Sequence, residues 1–94
     1  MRPTSRREGA FRGAKITSTE AHVLRQRGKN VVVCGPDATA NRQRAESLEK
    51  HVSKRIKHCG PHPNAGPNVL WHFQPDPRPP EGHTFYETST RKAL

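Results

Sequence analysis

Apolar side chains in this chain come in short, separated runs, and their spacing changes along the sequence. Val31-Val32-Val33-Cys34 is a continuous, mostly β-branched run stopped by Gly35-Pro36, which predicts a short buried strand. Behind Asp37, a residue suited to capping a helix, Ala45, Leu48, Val52, Ile56 and Cys59 recur at helical spacing. That pattern predicts the longest helix over residues 38–57, with its apolar stripe on a sheet and its basic side outward. A shorter helix is predicted over residues 17–27. Ser18 or Thr19 caps it, Val23 and Leu24 form a narrow apolar face, and Gly28 ends it.

The last third is read as strands. Val69-Leu70-Trp71-His72-Phe73-Gln74 and His83-Thr84-Phe85-Tyr86-Glu87-Thr88 have the aromatic and β-branched content of strands. The proline-rich connection between them is too long for a tight hairpin turn. Prolines and glycines interrupt residues 60–68 throughout and preclude regular structure there. Residues 1–15 read as a basic arm with one helical turn around 8–15. The expected architecture is a single α+β domain over residues 1–94, with N-terminal helices packed on a short, mainly antiparallel sheet.

Composition adds two constraints. Only 30% of the 94 residues are hydrophobic, and the mean hydropathy is −1.00. The clustering of those residues argues for a small folded core rather than a disordered chain. No apolar run approaches the length of a membrane span, so no membrane partner is expected. The basic N-terminus lacks the apolar segment of a secretory signal. Cys34 and Cys59 form no CxxC pair and read as two reduced thiols.

Seventeen Lys and Arg oppose eight Asp and Glu, a formal charge of +9. Such a field concentrates phosphate polymers and speeds encounter with them, but carries no base information. Arg42, Lys50, Lys54, Arg55 and Lys57 are the candidate nucleic-acid contacts. An acidic protein would be drawn by the same field.

Candidate chemistry lies in the histidines that sit among the C-terminal aromatics: His62, His72 and His83. Imidazole titrates near neutrality, so a neutral ring can take a proton from a nucleophile while a protonated one supplies a leaving oxygen. On RNA the adjacent 2′-hydroxyl is an available nucleophile, and no cofactor is needed. Arg78 or a helix cation would stabilise phosphorane charge, and Tyr86 and Thr84 would orient the phosphate. Convergence depends on strand register. With Gln74 opposite His83, His72 faces Phe85 and both histidines share a face. A slip of one residue places His72 across from Tyr86 and turns His83 away. The plainer reading makes all six histidines surface residues, His22, His51 and His58 above all, and keeps Trp71, Phe73, Phe85 and Tyr86 in the core.

A zinc reading draws on Cys59 and His62 in C-x₂-H spacing, completed by His72 and His83. It lacks a second ligand pair of short fixed spacing. There is no phosphate-cradling glycine motif, nucleophile elbow, HExxH or deaminase signature, and acidic residues are too dispersed for a two-metal carboxylate site.

Gly60-Pro61-His62-Pro63-Asn64-Ala65-Gly66-Pro67-Asn68, followed by His72-Phe73-Gln74-Pro75 and Gly82-His83-Thr84-Phe85-Tyr86, resembles the end of bacterial polymorphic toxin domains. These are the C-terminal modules of Rhs-repeat and contact-dependent-inhibition proteins. Residues 7–15 resemble the start of such a module. The resemblance implies a ribonuclease toxin with a barnase-, EndoU- or colicin-like fold, acting in the cytoplasm of a target bacterium and bound by a cognate immunity protein, expected to be acidic. The expected activity is metal-independent RNA cleavage, with His62, His72 and His83 catalytic and Arg78 and Tyr86 supporting. The alternatives are a non-catalytic basic nucleic-acid-binding protein and a zinc- or HNH-type nuclease.

Overall fold

The first helix begins one residue before the expected caps, at Thr17, and the reason is reciprocal hydrogen bonding. The Thr17 hydroxyl accepts from the Glu20 amide at 3.2 Å, while the Glu20 carboxylate accepts from the Thr17 amide at 3.0 Å. This capping box satisfies two otherwise orphaned donors and starts α1 (Ser18–Gln26). At the other end Gly28 takes a φ of 78°. Its amide donates to the Arg25 carbonyl and that of Lys29 to the Leu24 carbonyl, a Schellman closure that glycine adopts without strain. The computed structural model describes residues 2–3 (backbone only), 13–61, 64–77 and 81–94.

The remaining elements are β1 (Arg2–Pro3), β2 (Val31–Val33), α2 (Ala38–Val52), β3 (Ile56–Cys59), β4 (Trp71–Pro75) and β5 (Thr84–Tyr86). Asp37 caps α2 as expected, accepting from the Ala40 amide at 3.1 Å. The helix is shorter than its apolar spacing predicted. It stops at Val52, where Ser53 turns extended and its hydroxyl bonds the Arg55 carbonyl. Ile56 and Cys59 therefore leave the helical stripe and join β3, a strand absent from the expected order. Strand β1 likewise falls within the expected N-terminal arm. The helical turn read over residues 8–15 lies largely outside the described residues, and its described end, 13–15, is not helical. Among the described residues no helix is long and apolar enough to cross a membrane.

The five described strands form one sheet in the order β1-β2-β5-β4-β3. β2 and β5 run parallel, and the other three pairings are antiparallel. A parallel pair needs a crossover, which α2 and the β3–β4 hairpin provide between the two strands. The domain is thus α+β, with two helices on a mixed, mainly antiparallel sheet.

Strand alternation divides the core in two. On the helix face, Val33, Ala45, Phe73 and Tyr86 are buried together with Ile56 against them, beside a second group of Ala21, Val31 and Leu48. On the opposite face Val32 and Leu70 pack with Cys34, Phe85 and Ala93. Loop 64–70 and the C-terminal tail cover that end, tied by Lys92 N–H to the Pro67 carbonyl and by the Asn68 amide to the Lys92 carbonyl. Cys34 and Cys59 are half-buried thiols with no disulfide.

Candidate nucleic-acid site

Register places Trp71 opposite Tyr86, His72 opposite Phe85 and Phe73 opposite Thr84. This is the first of the two registers considered from the sequence, and it settles which side chains meet. His72 and His83 share the sheet face away from the helices, in edge-to-face contact with ring centroids 4.6 Å apart. Phe85 lies against both, at 5.3 Å from His72 and 5.4 Å from His83.

Each ring is oriented by an amide. The Asn30 side-chain oxygen accepts the His83 backbone N–H at 2.8 Å and faces His83 Nδ1 at 3.3 Å. An oxygen fixed as acceptor by a backbone donor requires the proton on Nδ1, so Nε2 is the basic atom of the neutral ring. His72 Nε2 donates to the Gln74 side-chain oxygen at 3.0 Å, which makes Nδ1 its basic atom. Across the β3–β4 pairing Cys59 stands opposite His72 and Lys57 opposite Gln74, on this same face. Among the described residues no group of three or more His, Cys, Asp or Glu side chains has a metal-holding arrangement. His62 and Arg78 lie outside the described residues.

Tyr86 does not join the histidine pair. Alternation turns it and Thr84 to the helix face, so neither can orient a phosphate held at His72 and His83. Tyr86 instead shares a hydrogen bond of 2.6 Å with His58 Nε2. His58 stacks on Phe73 with centroids 4.5 Å apart and lies 5.0 Å from Trp71. His58, Trp71 and Tyr86 line, with Arg42, Thr39, Ala38 and Thr88, an open cleft of about 320 Å³. Burial holds the His58 imidazole below its ordinary value of 6.5, and Arg42 adds to that depression while Glu46 opposes it. Burial pushes the Tyr86 phenol up, countered by Arg42 and reinforced by Glu46.

His58 is exposed, as the sequence reading expects, but its place in the cleft is not legible there, because the helical spacing hides β3 and leaves its alternation unused. Trp71, expected in the core, is 37% exposed and lines the cleft. His22 and His51 stack at 5.1 Å across α1 and α2.

The candidate phosphate contacts divide between the faces. Lys57 belongs to the histidine face, whereas Arg42 belongs to the His58 cleft. Lys54 and Arg55 are exposed in the turn leading into β3, one of the sheet's two described edge strands. Lys50 is exposed on α2 but pairs with Glu46 at 3.4 Å.

The chain is therefore a small basic α+β domain with a histidine pair on one sheet face and a His–Tyr–Arg cleft on the other. No protein-family model matches it, and no curated protein or solved structure does either.

Proposed function

We propose that the chain is an endoribonuclease that transfers the phosphodiester through His72 and His83 as an acid–base pair. The observation that carries this is the contact between the two rings, each oriented by its own amide. Cleavage needs one ring neutral and its neighbour protonated. That state supplies one base and one acid side by side. The neutral ring takes the 2′-hydroxyl proton, O2′ bonds to phosphorus, the P–O5′ bond breaks, and the 5′-oxygen leaves with the imidazolium proton. The products are a 2′,3′-cyclic phosphate and a 5′-hydroxyl, and the two rings have exchanged protonation states. Lys57, on the same face, offers positive charge to the phosphorane.

The toxin-module resemblance accords with this chemistry and with the +9 charge, which suits both RNA and an acidic inhibitor protein. The deciding experiment incubates the pure chain with RNA and with DNA, each with and without a chelator. RNA cleavage that survives chelation and leaves cyclic phosphate ends is expected. Chelator-sensitive cutting would move the reading to a metal nuclease, and intact substrates with salt-sensitive binding would move it to a binding protein. A small acidic open reading frame directly downstream would favour the toxin context.

A further inference from the structure

The cleft on the helix face combines the two surfaces that a nucleotide presents partners for: donors suited to a phosphate, and a partly exposed aromatic ring. Arg42 is exposed and always charged, and its guanidinium can engage two phosphate oxygens. Thr39 and Thr88 supply hydroxyls at the same opening. Trp71 keeps part of its indole uncovered at this opening, so a planar base can stack on it. We propose that the cleft lined by Arg42, His58, Trp71 and Tyr86 is a binding site for one nucleotide unit, its phosphate held by Arg42 and the His58–Tyr86 pair and its base stacked on Trp71. The site is separate from the His72–His83 pair and stands whether or not that pair cleaves RNA.

The His58–Tyr86 bond gives the site a proton-linked donor. While His58 is neutral with its lone pair on Nε2, the phenol donates to that nitrogen and its proton is occupied. A protonated His58 donates instead to the phenol oxygen, and the Tyr86 proton is released to point at an anion. The charged and titratable groups around His58 are Arg42 and Glu46 from α2 and Tyr86 from β5, with Phe73 and Trp71 of β4 packed on the ring. A phosphate brought beside Arg42 cancels the charge that helps keep His58 neutral, so phosphate and proton favour each other's binding.

The test uses the full chain and the deoxydinucleotide dApdA, which has one phosphodiester, constant charge near neutrality and no 2′-hydroxyl to react. Fluorescence of Trp71, the sole tryptophan, and the His58 ring protons in NMR report the site. Both signals should move on titration, and dimethyl phosphate and adenosine should each bind roughly tenfold more weakly, having lost stacking or charge-assisted bonds. Arg42→Gln, an exposed change that spares the core, should weaken dApdA by roughly tenfold. Affinity should rise as pH falls from about 7.5 to about 5.5, and His58→Gln should flatten that dependence. Equal binding of dimethyl phosphate and dApdA would reduce the cleft to an anion site and overturn the nucleotide assignment. Signals that move only at His72 and His83, or an Arg42→Gln chain that binds like the parent, would overturn it as well.

Discussion

Arg25 and Glu49 form a bidentate ion pair, 2.8 Å on both arms, with neither side chain exposed to solvent. Further hydrogen bonds surround it. Arg25 donates to the carbonyls of Lys29 and Glu81, and the Thr84 hydroxyl donates to Glu49. One cluster thus binds α1, α2, β5 and the chain before β5. Removing one partner strands the other as a buried charge, so Glu49→Ala should cost about 3–5 kcal/mol. Chemical denaturation checks this, and an Arg25→Met, Glu49→Leu double variant should recover much of the loss.

Gly82 sits against that pair with a φ of 88°. A Cβ there would come within 2.6 Å of Arg25 Nη1 and 2.7 Å of the Gly28 carbonyl oxygen. Gly82→Ala should therefore destabilise by more than the roughly 1 kcal/mol of a left-handed residue alone, since backbone must also move. The control is Gly66→Ala, where a Cβ meets nothing within 4 Å. A fall in the urea midpoint no larger for Gly82→Ala than for Gly66→Ala would contradict the packing.

For the proposed cleavage, His72→Ala and His83→Ala should each lower the RNA cleavage rate by about 10²–10⁴-fold. RNA affinity should change little, because neither change removes a fixed cation. Rate against pH should be bell-shaped in the parent chain. Asn30→Ala should give a rate between those of the parent and the His83 variant, since the ring stays but loses its amide support.

Charge reversal should separate the cations by position. Lys57→Glu and Arg42→Glu should each weaken single-stranded RNA binding and flatten the log–log salt dependence by about 0.7 or more. Lys50→Glu should do less, because Lys50 already faces Glu46 on the helix. Filter binding over a range of salt concentrations resolves the ranking.

His58 makes folding stability pH-dependent. Its folded-state value lies below the ordinary 6.5, so the unfolded chain takes up the proton first. Stability contributed by the neutral ring is present above 6.5 and declines as pH falls through that value. Urea midpoints at about pH 7.5 and about pH 5.5 should differ more for the parent than for His58→Gln. An equal difference in both chains would contradict the environment described for the ring.

Local signals carried much of this fold in the sequence. The β-branched run at Val31, the Asp37 cap and the aromatic alternation of the last strands are encoded by neighbouring residues, and each element formed close to its expected place. Strand β3 was hidden because Ile56 and Cys59 continue a helical spacing from Val52, and only pairing with β4 makes the segment extended. The same ambiguity conceals the His58 cleft. The meeting of His72 with His83 was legible only as one of two registers, because a period of two residues cannot state its own phase. Pairing with Arg25, a contact across many residues, left no trace in the local pattern of Glu49, which looks like an ordinary charge on a basic helix.

The position of β5 has a consequence in time. It lies between β2 and β4, yet it is the last strand made. A growing chain can form both helices and the β3–β4 hairpin early, but β2 has no neighbour on that side until residues 84–86 emerge. Until then Val31 and Val33 lack the sheet that seats them, and the buried Glu49 lacks the Thr84 hydroxyl. Folding should therefore complete in one late step, and a nascent chain stalled before Thr84 should remain open to protease around β2, which has yet to join the sheet.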